Sequence, residues 1–139
     1  MPSLKSKEDL LDFAKRWLGA WTGNRPDQLI AFYAENAFYS DPANREGIRG
    51  KAQILVYFVR LLDVYHDWIW EPIEAFPTAG GMVLKWQCWI KVAGDTVHEI
   101  GLDIVEIAGG KITRNEVYFD RTRLAELAEA EKRRERLIH

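Results

Sequence analysis

The sequence predicts an α+β fold, with helices in the first half of the chain and an antiparallel sheet in the second. Two observations predict it. Apolar residues recur at intervals of three and four up to Leu62, and four segments rich in aromatic and β-branched residues follow, separated by short turns that contain glycine. With 139 residues, 47% of them hydrophobic, we expect a single domain over 1–139 with its own core.

Three helices are predicted in the first half. Ser6 with Asp9 three residues later is typical of a capping box, and Gly23-Asn24 favours a stop. Pro26 fits the first turn of a second, shorter helix, and a third is expected over 51–62. The apolar stripe of the first helix is Leu10, Phe13, Ala14, Trp17, Leu18 and Trp21, and the second helix is expected to carry Leu29, Ile30, Phe32 and Tyr33.

Four strands are predicted in the second half, over 68–76, 82–92, 96–107 and 111–119. Short turns between them favour antiparallel hairpins, so we expect a curved antiparallel sheet wrapped over the N-terminal helices. A last helix is expected over 122–137. Residues 43–50 have turn chemistry, with room for a short strand near Ile48.

Two carboxylates are the leading candidates for chemistry. Asp41 closes a short apolar run and precedes Pro42, which favours an extended backbone; a plain turn residue is the alternative. Asp103 lies within the apolar segment 100–105, where burial is expected to raise its pKa. Two carboxyls in different environments can divide acid and base roles, so the pair predicts a site for proton transfer.

Composition excludes several function classes. A net charge of -2 gives no electrostatic case for a nucleic-acid partner, and no segment is apolar enough to predict a membrane span. The single Cys88 cannot form an internal disulfide, which favours a reducing, cytoplasmic location. The three histidines lack the spacing of metal ligands, and no phosphate-binding motif is present, so we predict neither a metal nor a cofactor.

The strand over 82–92 predicts a partner. Large apolar residues occupy both of its faces, with Trp86 on one and Trp89 on the other. A sheet with one face in water would alternate more cleanly. We therefore expect a homodimer that forms through the outer face of the sheet.

Three segments resemble a known superfamily, and the similarity extends from Phe13 to Leu124. They are FYAENA at 32–37, GIRGKA at 47–52 and GKITRNEVYFD at 110–120. The superfamily is the nuclear transport factor 2-like group with its cystatin-like α+β fold, which includes SnoaL-like polyketide cyclases, ketosteroid isomerases and limonene-1,2-epoxide hydrolases. The resemblance indicates a SnoaL-like domain.

The resemblance to ketosteroid isomerases assigns roles to both carboxylates. Asp41 matches the general base, and Asp103 matches the protonated acid that hydrogen-bonds the oxyanion. Trp17 stands where that family has its oxyanion-hole tyrosine, and an indole N–H can donate one hydrogen bond. SnoaL-like cyclases use an aspartate as acid or base in the same cavity, and an acid set of Asp41, Asp103 and Asp120 is compatible with that chemistry; a plain cap of the last helix is the alternative for Asp120.

The resemblance to epoxide hydrolases is weaker. Tyr39 and Asp120 match members of the water-holding group. However, the arginine and aspartate that complete that site are replaced by Gln87 and Trp89. Epoxide hydrolysis is therefore not expected.

Together, the residues and the resemblance imply an apolar pocket in which Asp41 abstracts a proton from a small hydrophobic carbonyl compound and Asp103 donates a hydrogen bond. Two alternatives stay open: a non-catalytic small-molecule binder with the same pocket, and a dimerising scaffold whose pocket is filled by side chains. The expected pocket residues are Trp17, Phe38, Tyr39, Tyr57, Trp86, Tyr118 and Phe119.

Overall fold

A six-stranded mixed sheet and four helices form the described part of the chain, residues 6–138 of a computed structural model. The predicted α+β class is confirmed. The strands lie in the order β2-β1-β6-β5-β4-β3. The elements are α1 (Lys7–Gly19), α2 (Pro26–Ile30), β1 (Tyr33–Asp41), β2 (Asn44–Arg49), α3 (Lys51–Val64), β3 (Ile69–Pro77), β4 (Gly81–Val92), β5 (Asp95–Ala108), β6 (Lys111–Tyr118) and α4 (Thr122–Ile138).

The sheet differs from the prediction at one edge. β2 is the short strand expected near Ile48, whereas β1 was not predicted, and because β1 runs parallel to β6 the sheet is not antiparallel throughout. Tyr33 begins β1 and does not continue the second helix. The polar pair Glu35 and Asn36 is exposed and interrupts the alternation of β1, and the register against β6 shifts between Tyr33 and Phe38. These irregularities explain why the period-two pattern did not predict the strand.

Helix α1 begins as predicted and ends earlier. The Ser6 hydroxyl oxygen accepts a hydrogen bond of 3.1 Å from the Asp9 N–H, which satisfies one unpaired donor of the first turn. The helix ends at Gly19, four residues before Gly23. Its apolar stripe is buried against the sheet, and full burial of each large apolar side chain contributes about 1.5–3 kcal/mol.

Two neighbouring strands, β4 and β5, place Trp86 and Asp103 next to each other on the inner face of the sheet. Trp86 of β4 pairs with Gly101 of β5, and Leu84 pairs with Asp103. A Cβ atom on Gly101 would lie 2.6 Å from two ring carbons of Trp86. The indole therefore rests against the bare backbone at Gly101, and this places it next to Asp103.

Membrane-spanning helices and metal-binding clusters are both absent from residues 6–138. None of the helices in the range 6–138 is long and apolar enough to cross a membrane. Over the same range, no group of three or more His, Cys, Asp or Glu residues is arranged to hold a metal ion. Cys88 is buried in β4 as a free thiol.

Candidate functional site

A cavity walled mainly by aromatic side chains lies between the inner face of the sheet and the helices. Its volume is about 70 Å³, whereas a single water molecule needs about 10–15 Å³. Both Asp41 and Asp103 line it. The other lining residues are Leu18, Trp21, Tyr39, Pro42, Ala43, Tyr57, Leu61, Tyr65, Trp68, Trp70, Trp86, Val117, Phe119, Arg121 and Leu124.

Asp41 is surrounded by hydrogen-bond donors. Its Oδ1 accepts from the backbone N–H groups of Ala43 at 2.9 Å and Asn44 at 2.8 Å, which closes the turn between β1 and β2. Its Oδ2 accepts from the hydroxyls of Tyr39 at 2.8 Å and Tyr57 at 2.7 Å. A carboxylate has about four lone-pair positions, and these four bonds occupy them. Asp41 is thus a turn residue and a cavity residue at once.

The two tyrosines beside Asp41 stay protonated. Burial raises the pKa of Tyr39 well above its ordinary value, and the negative charge of Asp41 raises it further. Burial also raises the pKa of Tyr57, and the hydrogen bond to Asp41 acts in the same direction. Both hydroxyls therefore act as neutral donors to a charged acceptor.

Asp103 lies in the middle of β5 and is only 3% exposed. Its Oδ1 accepts from Trp86 Nε1 at 2.8 Å, and its Oδ2 accepts from Asn115 Nδ2 at 2.9 Å. Burial raises the pKa of this carboxyl to about 7; the Asn115 and Trp86 donors oppose the rise, and the charge of Asp41 adds to it. Asp103 can therefore gain or lose a proton near neutral pH.

A relay of buried side chains fixes the direction of the hydrogen bonds that reach Asp103. Trp17 Nε1 donates to the Tyr33 hydroxyl oxygen at 3.2 Å, and that hydroxyl donates to Asn115 Oδ1 at 2.8 Å. Because an indole N–H can only donate, Tyr33 must pass its own proton onward, and Asn115 must present its NH₂ group to Asp103. With donors on both oxygens, any proton on Asp103 occupies a lone pair outside these two bonds.

Asp120 does not join the other two acids. It lies outside the cavity, and its Oδ1 accepts from the Thr122 N–H at 3.0 Å at the start of α4. Its hydrogen bonds to Thr122 lower its pKa. This arrangement is that of an exposed helix cap.

Phe38 and Tyr118, two expected pocket residues, lie on the opposite side of the sheet. Phe38 directly precedes Tyr39 in β1, and successive residues of a strand point to opposite faces. Tyr118 is 53% exposed, and its hydroxyl donates to Glu116. Both line an open groove on the outer face, together with Ser40, Asp41, Pro42, Arg45, Glu116, Val117 and Phe119.

Of the other expected pocket residues, Trp17 lies behind the cavity wall, where its N–H is bonded to Tyr33. Four line the cavity: Tyr39, Tyr57, Trp86 and Phe119. The sequence interpretation missed Trp68 and Trp70, although their spacing of two at the start of a strand places both on one face. It also missed Asn115, a fully buried polar residue in β6, a strand whose sequence mixes polar and apolar residues and so gives no signal for it.

The comparisons with known proteins identify the family. Residues 14–115 match the model of the SnoaL-like domain, and the chain belongs to that family. A search of curated protein sequences found no match.

Solved structures with the same fold include several ketosteroid isomerase-like and cyclase-like proteins. One is a ketosteroid isomerase-like protein from Catenulispora acidiphila in complex with trimethylamine, with 19% identity and a TM-score of 0.74 over 85% of this chain and 92% of that chain. A candidate SnoaL-like polyketide cyclase from Jannaschia sp. CCS1 has 10% identity and a TM-score of 0.74 over 94% of this chain and 98% of that chain. A third, TerC with polyporic acid, has 16% identity and a TM-score of 0.72 over 85% of this chain and 96% of that chain. At these identities, the likeness concerns the fold.

Proposed function

We propose that the protein binds a small hydrophobic carbonyl compound in its aromatic cavity and transfers a proton on it, in an isomerase-like or cyclase-like reaction. One observation carries the proposal: Asp103 is a buried carboxyl on the cavity wall whose pKa is raised to about 7. Groups that donate and accept protons catalytically work best when their pKa lies near the working pH.

The hydrogen bonds divide the roles of the two carboxylates. Asp41 has four donors and would have to give up one of them to accept a proton from a ligand. Asp103 accepts two hydrogen bonds from the described residues and keeps further lone pairs for a ligand. The proposal therefore assigns proton abstraction to Asp103, whereas the resemblance assigned it to Asp41.

The proposed reaction needs no cofactor. The Asp103 carboxylate takes a proton from the carbon next to the carbonyl group, and the electron pair of the broken C–H bond moves into an enolate. The protonated Asp103 then returns the proton to a carbon of the ligand. Asp41 takes no part in this transfer and orients the hydroxyls of Tyr39 and Tyr57 at the cavity.

The lining supports the class of ligand. Most of the side chains around the cavity are aromatic or aliphatic, so they favour an apolar molecule with few polar atoms. Two structural neighbours were crystallised with small organic molecules, trimethylamine and polyporic acid. These two complexes support a small organic ligand for a protein of this fold.

Deuterium exchange tests the proposal. Acetone, cyclohexanone and acetophenone are incubated with the protein in D₂O, and exchange next to the carbonyl is followed by proton NMR. We expect exchange by the wild type and a loss of about 10²–10⁴-fold in Asp103→Asn. Asp120→Asn is the control, since Asp120 caps α4 and should leave the rate unchanged.

Two results would count against proton transfer. Absence of exchange by the wild type on all three ketones would refute proton transfer. Binding of a ketone without exchange would favour the non-catalytic binder. Asp41→Asn with a larger rate loss than Asp103→Asn would return the proton-accepting role to Asp41.

We also propose that two copies of the chain associate through the outer face of the sheet. Large apolar side chains are exposed there: Leu102 pairs with Tyr118 on the next strand, Ile100 lies two residues before Leu102, and Ile69 lies on β3, beyond β4. Adjacent exposed apolar residues are typical of a protein interface. Analytical ultracentrifugation at micromolar concentration should show a dimer that Leu102→Lys dissociates, while Leu137→Lys, on the exposed end of α4, has no effect. A wild-type monomer would refute this proposal.

A further inference from the structure

Trp70 has a hydrogen-bond donor without an acceptor. Within the described range, its Nε1 is sealed from water and has no hydrogen-bond partner. A buried donor left unpaired destabilises a protein by about 1–3 kcal/mol, and such groups are rare in native structures. Trp70 lines the aromatic cavity, so its ring belongs to the wall of the candidate site, and its Nε1 lies just behind that surface.

Other indoles of the core show that this fold supplies acceptors when it can. Trp17 donates to the Tyr33 hydroxyl oxygen, and Trp86 donates to Asp103. Trp68, two residues before Trp70 and on the same cavity wall, donates to the backbone carbonyl of Trp21. Trp70 therefore differs from these three tryptophans in its bonding and shares the cavity with two of them.

The surroundings of Trp70 are aromatic. Its ring packs edge-to-face against Trp86, with centroids 4.6 Å apart, and against Trp68 at 5.0 Å. Aromatic faces are weak acceptors for an N–H group, so a ligand oxygen would be a much better partner. Since Trp86 also holds Asp103, the Trp70 ring and the Asp103 carboxylate contact the same side chain of the cavity wall.

We propose that a bound ligand shifts the Trp70 ring so that its Nε1 donates a hydrogen bond to the oxygen of the ligand, a carbonyl or enolate oxygen on a small apolar body. This inference rests on the proposed function and adds the residue that binds the ligand oxygen. Trp70 then supplies the donor that the resemblance placed at Trp17, whose own N–H is engaged by Tyr33. An N–H group aimed at a developing enolate oxygen stabilises the charge that forms there.

The test uses two probes of nearly equal shape. Cyclohexanone carries an acceptor oxygen, and methylenecyclohexane has a CH₂ group in its place. Each is titrated into the ¹⁵N-labelled full-length protein, and the indole N–H resonances are followed by NMR. Trp70→Phe assigns the Trp70 resonance and removes the donor, while Trp68→Phe is the matched control, because the Trp68 N–H is already bonded to Trp21.

We expect the wild type to bind cyclohexanone about tenfold more tightly than methylenecyclohexane, as one net hydrogen bond would give. The Trp70 indole resonance should move with cyclohexanone and stay in place with the alkene. Trp70→Phe should abolish the tenfold preference, and Trp68→Phe should keep it. If Trp70→Phe does not fold, the wild-type preference and the shift of one indole resonance with the ketone alone decide the question.

Equal affinity of the wild type for the two probes would overturn the inference, as would a preference that survives in Trp70→Phe. Failure of the wild type to bind cyclohexanone would overturn it too. The proposed function can fail separately: a ketone preference that depends on Trp70, without deuterium exchange, would refute proton transfer and keep Trp70 as the donor.

Discussion

The end of β1 and the middle of β5 present the same functional group to one cavity in two different environments. At the end of β1, Asp41 accepts two backbone and two tyrosine hydrogen bonds. In the middle of β5, Asp103 accepts one hydrogen bond on each oxygen and is more deeply buried. Two residues of the same type therefore differ in burial and in the number of hydrogen-bond donors, and burial raises the pKa of Asp103 to about 7.

Each environment has a local cause in the sequence. Asp41 meets two backbone N–H groups because it begins a tight turn, and it meets Tyr57 because α3 packs beside β1. Asp103 has apolar neighbours on its own strand, and its donors come from the two flanking strands, Trp86 on β4 and Asn115 on β6. The first site surrounds its carboxyl with four donors, and burial at the second site disfavours the charged form of Asp103.

The largest expected effect is the one that Asp103 has on how the free energy of unfolding depends on pH. The pKa of Asp103 is raised from 3.8 to about 7 in the folded protein, so the folded state keeps a proton that the unfolded chain releases above about pH 4. The contribution of this proton to stability is complete below about pH 4 and is lost as the pH rises to about 7. We expect a loss on the order of 4 kcal/mol across that window.

Urea denaturation of the wild type and of Asp103→Asn from pH 4 to 8 measures this contribution as the difference between the two curves. The mutant lacks the titrating group, so its curve should omit this fall, whatever its overall stability. Parallel curves for the two proteins would show that the Asp103 pKa is not raised by folding.

Asp41→Ala should destabilise the fold by about 3 kcal/mol, because the buried hydroxyl of Tyr39 and the turn amides lose their acceptor. Equilibrium urea unfolding at pH 7 gives the value. Asp120→Ala is the control: it removes an exposed cap and should have a clearly smaller effect. A change within about 0.5 kcal/mol for Asp41→Ala, as for a typical surface substitution, would contradict the structural role given to its four bonds.

Gly101→Ala should destabilise the fold by about 1–3 kcal/mol through overpacking. The added Cβ would lie 2.6 Å from ring carbons of Trp86 and 2.6 Å from the Tyr118 carbonyl oxygen, so the indole must move away from residue 101. Thermal unfolding measures the loss, and Gly19→Ala is the matched control, with no atom within 4 Å of its new Cβ. Equal melting temperatures for the two variants would show that Gly101 is not needed to seat Trp86.

The smallest expected effect is that of Tyr33→Phe on the titration of Asp103. Without the Tyr33 hydroxyl, the Asn115 amide is free to turn its oxygen towards Asp103. A carbonyl acceptor at that position favours the protonated carboxyl, so the titration midpoint of Asp103 should rise by a fraction of a unit. NMR of the carboxyl carbon tests this, and a fall in the midpoint would contradict the direction assigned to the relay.

The sequence predicted the parts of the fold whose pattern is local. The caps and stripes of the helices, and β3 to β6 with their short turns, follow from nearest neighbours along the chain. The parallel pairing of β1 with β6 joins distant segments, and β1 itself has an irregular register, so no local period revealed it. Fold class was therefore accessible, whereas the complete sheet was not.

For the candidate site, the sequence predicted the types of residue better than their positions around the cavity. Burial of Asp103 follows from its apolar neighbours, and the strand parity of Phe38 against Tyr39 could have separated inner from outer residues once β1 was recognised. The four donors around Asp41 could not be foreseen, because Tyr57 arrives from α3 through packing. The unused N–H of Trp70 likewise depends on which acceptors the core happens to supply.

The raised pKa of Asp103 is tested most directly by a carboxyl-carbon NMR titration of the wild-type protein with ¹³C-labelled aspartate, in which Asp103→Asn assigns the Asp103 resonance. We expect this resonance to titrate with a midpoint near 7. A midpoint below about 5, close to that of an ordinary aspartate, would show that Asp103 is charged at neutral pH without penalty and would contradict its role as the group that exchanges a proton with the ligand.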